Sequence, residues 1–161
     1  MAVTPAARAE TVAQFDVTAS IVPGCLVDGL GGSGNAGTIG RLDFGVDSTF
    51  SSAMVRSSLG QVVRLRCTPG VTMTMSVDGG RNAAGGARHL QRGADPSARI
   101  AYTLCRDPAC TQPLAIGAAA LVEVTGTNSL DVRLPVFGAL ILPGTVPPGT
   151  YSDTLTVTLT W

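Results

Sequence analysis

Residues 149–161 read GTYSDTLTVTLTW, and the spacing inside this stretch decides the fold. Tyr151, Leu155, Val157, Leu159 and Trp161 alternate with Ser152, Thr154, Thr156, Thr158 and Thr160. A period of two puts one face of a strand in a core and the other toward solvent. The stretch contains no proline and the whole chain no lysine, so two common devices for blunting a sheet edge are missing. Tyr151, Leu155, Val157, Leu159 and Trp161 are therefore expected to form an acceptor edge, a strand whose backbone lacks a neighbour on one side.

Working outward, the same alternation recurs along the chain. It is present in Phe15–Ile21, Val71–Val77, Ile100–Leu104 and Leu130–Val136, with further strand-like runs at 39–46, 61–67 and 120–125. Turn chemistry separates the runs: VDGLGGSGNAG, TPG, VDGGRNAAGG, RDPAC, GTN and LPGTVPPG. Many short strands joined by Gly- and Pro-rich turns predict an all-β sandwich. The exception is Ile116–Leu121, IGAAAL, whose alanines allow a helical turn. A chain of 161 residues is long enough for one domain with a sizeable core.

Composition excludes several functions. Eleven basic residues balance eleven acidic ones, so no general attraction to nucleic acid or anionic membrane is expected. All the bases are arginine, which removes the lysine of a Walker phosphate loop, a pyridoxal Schiff base or a lysine nucleophile. No run of eighteen apolar residues occurs, so no membrane-inserted segment is predicted. GSGNAG (32–37) has the glycine spacing of a dinucleotide loop, but TIGRLDFG follows it and alternates like a strand, whereas the fingerprint needs a helix there. His89 is the only histidine, sits in a loop-like context, and has no Gly-x-Ser-x-Gly elbow to serve. The carboxylates are scattered one per loop or strand, as turn-capping and solvent-facing acids are. The chain is read as a non-enzyme needing neither cofactor nor metal.

Four cysteines, Cys25, Cys67, Cys105 and Cys110, allow three pairings. Cys105 and Cys110 flank the turn-forming RDPA, which pairs them and leaves Cys25 with Cys67. A four-thiolate zinc site is the rival, but it usually shows two short Cys pairs and only one exists here. Paired cysteines point to an oxidising compartment.

The N-terminal MAVTPAARAE resembles the end of a secretory signal, with Ala7-Arg8-Ala9 as a small-x-small cleavage site. Residues 1–9 are accordingly expected to be a signal remnant or else a disordered N-terminus. The next segment, ETVAQFDVTASI (10–21), alternates and carries Val12, Phe15, Val17, Ala19 and Ile21. It is expected to act as a donor that leaves its own domain, residues 22–161, and supplies the missing strand of another molecule. The competing reading makes part of Val17–Ile21 an ordinary first strand of its own sheet.

FDVTASIVPGC (15–25), GRLDFG (40–45), VRLRCTPGV with SVDGG (63–80), IAYTLCRDPA (100–109), LPVFGAL (134–140) and PPGTYSDTLTVTLTW (147–161) together resemble the spore coat protein U domain family. That family includes subunits of archaic chaperone-usher pili. The resemblance covers nearly all of residues 10–161 in order, and the Gly-x-Tyr-x-Asp-x-Leu-x-Val stretch is its most specific part. It implies an immunoglobulin-like β-sandwich lacking its final strand, secreted to the periplasm and then carried to a cell-surface fimbrium. The implied partners are a periplasmic chaperone, an outer-membrane usher and neighbouring pilins, and the implied role is a structural subunit of an adhesive pilus. A secreted spore-coat-type protein and a pilus tip or adaptor adhesin are the alternatives. The family's disulfide between the first strand region and a central strand falls on Cys25 and Cys67; Cys105 and Cys110 depart from the family pattern.

Overall fold

The computed structural model describes residues 12–29 and 31–161; the expected signal remnant, with Glu10 and Thr11, lies outside them. The described residues form strands and no helix: β1 (Cys25–Val27), β2 (Gly40–Leu42), β3 (Met54–Gln61), β4 (Leu65–Cys67), β5 (Met73–Val77), β6 (Arg88–Arg92), β7 (Asp95–Cys105), β8 (Ala120–Val122), β9 (Phe137–Ile141), β10 (Tyr151–Ser152) and β11 (Val157–Thr160). One sheet has six strands in the order β10-β6-β7-β9-β3-β2; β11-β5-β8 and β1-β4 make two smaller ones. All pairings are antiparallel. The result is the all-β sandwich that the sequence predicts.

The period of two explains which strands sit deepest. On β5, Met73, Met75 and Val77 are buried while Thr74 and Ser76 between them are partly open. On β7, Ala98, Ile100, Tyr102 and Leu104 point inward. Leu65 of β4 and Val132 join them in a single core. Burying such side chains contributes about 1.5–3 kcal/mol each before chain entropy is counted.

Several expected elements shift. Leu130–Val136 is not a ladder strand: Val132, Leu134 and Val136 are buried, but they are held by single bonds such as Val132 N–H to Leu65 C=O at 2.8 Å, and the strand proper begins at Phe137. IGAAAL forms a turn, with Gly117 N–H donating to Val77 C=O, and then β8. β3 lacks a clear apolar period because its inward residues are only half-buried. His89 lies on β6, not in a loop. Tyr151–Trp161 is not one strand but two, β10 in the six-stranded sheet and β11 in another.

Candidate functional site

Pairing with β5 occupies only one side of β11 (Val157↔Val77, Thr160↔Thr74). Asp78 N–H donates to Thr156 C=O at 3.1 Å, so the even-numbered residues of this segment turn their backbone groups toward β5. In an antiparallel ladder the alternate residues then point the other way. The N–H and C=O of Val157 and Leu159 therefore face outward, and β11 is the last strand of its sheet.

β2 ends the other sheet and pairs only with β3. Here Val62 N–H donates to Ile39 C=O, which by the same parity leaves the backbone of Gly40 and Leu42 facing away from β3. Both edges border one cleft of about 1810 Å³. Leu155, Val157 and Leu159 line one wall, Ile39, Leu42 and Phe44 the other, and Ile100, Leu104, Leu134 and Val136 are among the residues of its floor. The floor is apolar and strand edges border it on both sides, as they would the space left by a missing strand.

The break between β10 and β11 comes from Asp153. Its position in the period of two turns the side chain inward, where a carboxylate needs donors. Tyr102 Oη–H donates to Asp153 Oδ2 at 2.8 Å, and the Asn82 backbone N–H to Oδ1 at 3.2 Å. Asp78 Oδ1 accepts the Thr156 N–H at 2.9 Å. Gly80, at φ +81°, passes so close to Asp153 that a Cβ there would collide with the carboxylate. Beneath this crossing the buried Arg88 donates to the carbonyls of Asp78, Leu114 and Val77 at 2.8, 2.8 and 2.9 Å. Burial lowers the Arg88 guanidinium from its ordinary value. Burial also raises the Tyr102 phenol, and its bond to Asp153 raises it further.

Of the expected donor residues, Val12, Phe15, Val17 and Ile21 are 86, 87, 83 and 95% exposed, and Ala19 is exposed as well. No strand includes residues 12–24, so Val17–Ile21 is not part of the domain's own sheet here. The expected acceptor residues separate. Leu155, Val157 and Leu159 face the cleft from β11 and its approach; Tyr151 borders its end from β10. Trp161, 39% exposed, lies beyond β11 against Gly24.

Cys25 is bonded to Cys67 across the β1–β4 pair, with Cα atoms 4.0 Å apart, and Cys105 to Cys110 with Cα atoms 5.1 Å apart. Asp107 holds the second turn by accepting the N–H of Thr111 and of Gln112, which keeps its carboxyl below the usual range. GSGNAG leads into β2, not into a helix. Among the described residues no three His, Cys, Asp or Glu side chains converge as metal ligands, and no helix is long and apolar enough to cross a membrane. Sequence reading missed β2 as the second wall of the cleft; the signal was GRLDFG directly after a glycine-rich loop.

Residues 11–158 match the family described as Spore Coat Protein U domain. No curated protein matches the chain. Similar solved structures include the CsuC–CsuE chaperone–tip adhesion subunit pre-assembly complex of archaic chaperone-usher Csu pili from Acinetobacter baumannii, at 21% identity and a TM-score of 0.48, covering 88% of this chain and 40% of that one. Another is a chaperone–tip adhesin complex of CFA/I fimbriae, at 15% identity and a TM-score of 0.45, covering 86% and 42%. The chain thus spans about two-fifths of the length of the solved chains it matches.

Proposed function

Because the chain belongs to the Spore Coat Protein U domain family, we infer that it is a structural, non-catalytic subunit of an adhesive surface pilus, joined to its neighbours by donor-strand complementation. The observation that carries this reading is the apolar cleft bordered by two unpaired strand edges, β11 and β2, in a chain whose own residues 12–22 lie exposed. A vacancy of that form is filled by an extended segment: backbone bonds to the edges give affinity and alternate side chains enter the apolar floor.

Residues 12–22 have the required chemistry. Val17, Ile21 and Phe15 are spaced at even intervals with Ala19 between them, so all four side chains point to one face of an extended segment. Moving the three large ones from water into a groove contributes roughly 5–9 kcal/mol at about 1.5–3 kcal/mol each, and every new ladder bond adds about 0.5–1.5 kcal/mol. A strand zipped into a sandwich leaves only when that domain opens, which makes the joint kinetically persistent. In this reading a periplasmic chaperone occupies the cleft first, an outer-membrane usher exchanges it for the donor segment of another subunit, and the product is a fimbrium on the cell surface.

Deleting residues 10–21 and expressing the chain with its chaperone and usher tests the reading. A soluble chaperone complex without fibres is the expected result. Fibres of normal length from the deletion, or secreted wild-type material that is non-fibrous under the electron microscope, contradict it; the latter would favour a spore-coat-type deposit.

A further inference from the structure

The two ends of the cleft differ. One end is bordered by residues 43–49 and 146–151, the other by Val27, residues 32–37 and Trp161. At the first end, the loop between β2 and β3 carries Val46 at 101% and Phe50 at 87% exposure. The loop sits beside residues 143–150: Leu142 N–H donates to Ala53 C=O, and Gly144 approaches the carbonyls of Phe50 and Ser51. Two large apolar side chains left in water on one loop tip are more than the scattered exposure usual on a surface.

The direction of the donor decides what comes to rest on that loop. The donor segment runs into Gly24 and Cys25 of its own domain, and Gly24 lies beside Trp161, at the second end. If the segment entered a cleft parallel to β11, it would emerge at that same second end. Like ends would then meet, two copies could fill each other's clefts, and assembly would close at a dimer. Entering antiparallel, it emerges at the first end, beside Val46 and Phe50, and unlike ends meet in an open chain. Resting on the pilus reading above, which requires an open chain, we propose that the loop tip bearing Val46 and Phe50 is a docking surface for the Cys25–Trp161 end of the next copy.

Charge agrees with this pairing. The loop tip exposes Asp47, whose carboxylate has no ion-pair partner among the described residues. At the opposite end Asp28 N–H bonds to Arg64 C=O, and the exposed Arg64 side chain likewise has no acidic partner there. Near that end Arg66 pairs with Asp28 and Arg133 with Asp131, while the exposed Glu123 has no ion-pair partner among the described residues. Meeting of unlike ends lets Asp47 of one copy pair with Arg64 of the next, a contact that two like ends would not make.

Site-specific photocrosslinking on assembled fibres tests the proposal. A photoreactive phenylalanine analogue is placed at position 50, and in a control at position 101, on the outward face of β7. Denaturant-resistant ladders before irradiation report donor-strand joints, and mass spectrometry maps the new links. The expected result is a link from position 50 to residues 22–36, 64 or 161 of another copy, with at least tenfold less from position 101. Ladders without that link, or with links mapped to the like end, overturn the docking surface and leave the pilus reading standing. Absence of ladders from the wild-type chain overturns both.

Discussion

Tyr102 and Asp153 tie the terminal segment to the core through one side-chain bond of 2.8 Å, and the chemistry of that pair is open to direct test. Tyr102→Phe keeps the ring, including its edge-on contact with Phe44 at 6.2 Å between centroids, and removes only the donor. A bond to a charged acceptor is worth about 1.5–3 kcal/mol, so urea unfolding at neutral pH is expected to show a loss of about that size. The pH dependence has a definite sign. Burial raises the Tyr102 phenol above its ordinary value, so the fold favours the neutral form. The stability this contributes is complete below the unfolded value of about 10 and is lost as pH rises through the higher folded value. The wild-type chain should therefore lose stability more steeply than Tyr102→Phe above about pH 10; parallel curves would remove Tyr102 as the cause. None of this was legible in the sequence. Asp153 stood in the alternation of GTYSDTLTVTLTW as an acid at an inward position, and its partners Tyr102 and Asn82 come from distant turns and strands.

The edge of β11 makes its own prediction at the level of the element. Val157 presents its N–H to the cleft, not to β5, so Val157→Pro removes an outward donor without cutting the existing ladder, a placement on an edge strand that tolerates proline. The expected outcome is a folded subunit whose thermal midpoint falls by only a few degrees, but whose binding to a peptide of residues 12–22 weakens about tenfold or more. Equal loss of fold and binding would mean that Val157 faces β5 after all. The alternation of LTVTL made this edge readable from sequence, because threonine on one face and branched aliphatics on the other are what a half-buried strand needs. β3 and β6 were not readable for the opposite reason. β3 borders the cleft and buries little, while β6 places an arginine, Arg88, in the core where its stem packs and its guanidinium bonds three carbonyls. No hydrophobic period marks either one. Val132, Leu134 and Val136 gave a false strand by the converse route, since their side chains fill the core while their backbone bonds singly to other segments.

In the whole molecule, the two disulfides differ in the loops they close. Cys25–Cys67 spans 42 residues and Cys105–Cys110 only 5, so chain entropy assigns about 4 kcal/mol to the first and about 2 kcal/mol to the second. Replacing each pair by alanine should lower the chemical-denaturation free energy in that order, and an inverted order would contradict the entropic account. The fold class was legible as a whole because strand and turn signals alternate over the full length. The cleft was legible only from one side, since β2 is three residues long and its role depends on where the sheets end. The central claim is that this cleft is the space of an absent strand and that residues 12–22 of another copy fill it. Amide hydrogen exchange tests it most directly, comparing the chain lacking residues 1–22 with and without a peptide of residues 12–22. The account predicts new protection at Val157 and Leu159 and at Gly40 and Leu42, with the β5 amides unchanged. Peptide binding that leaves those four amides exchanging as before, or that protects a different surface, would contradict it.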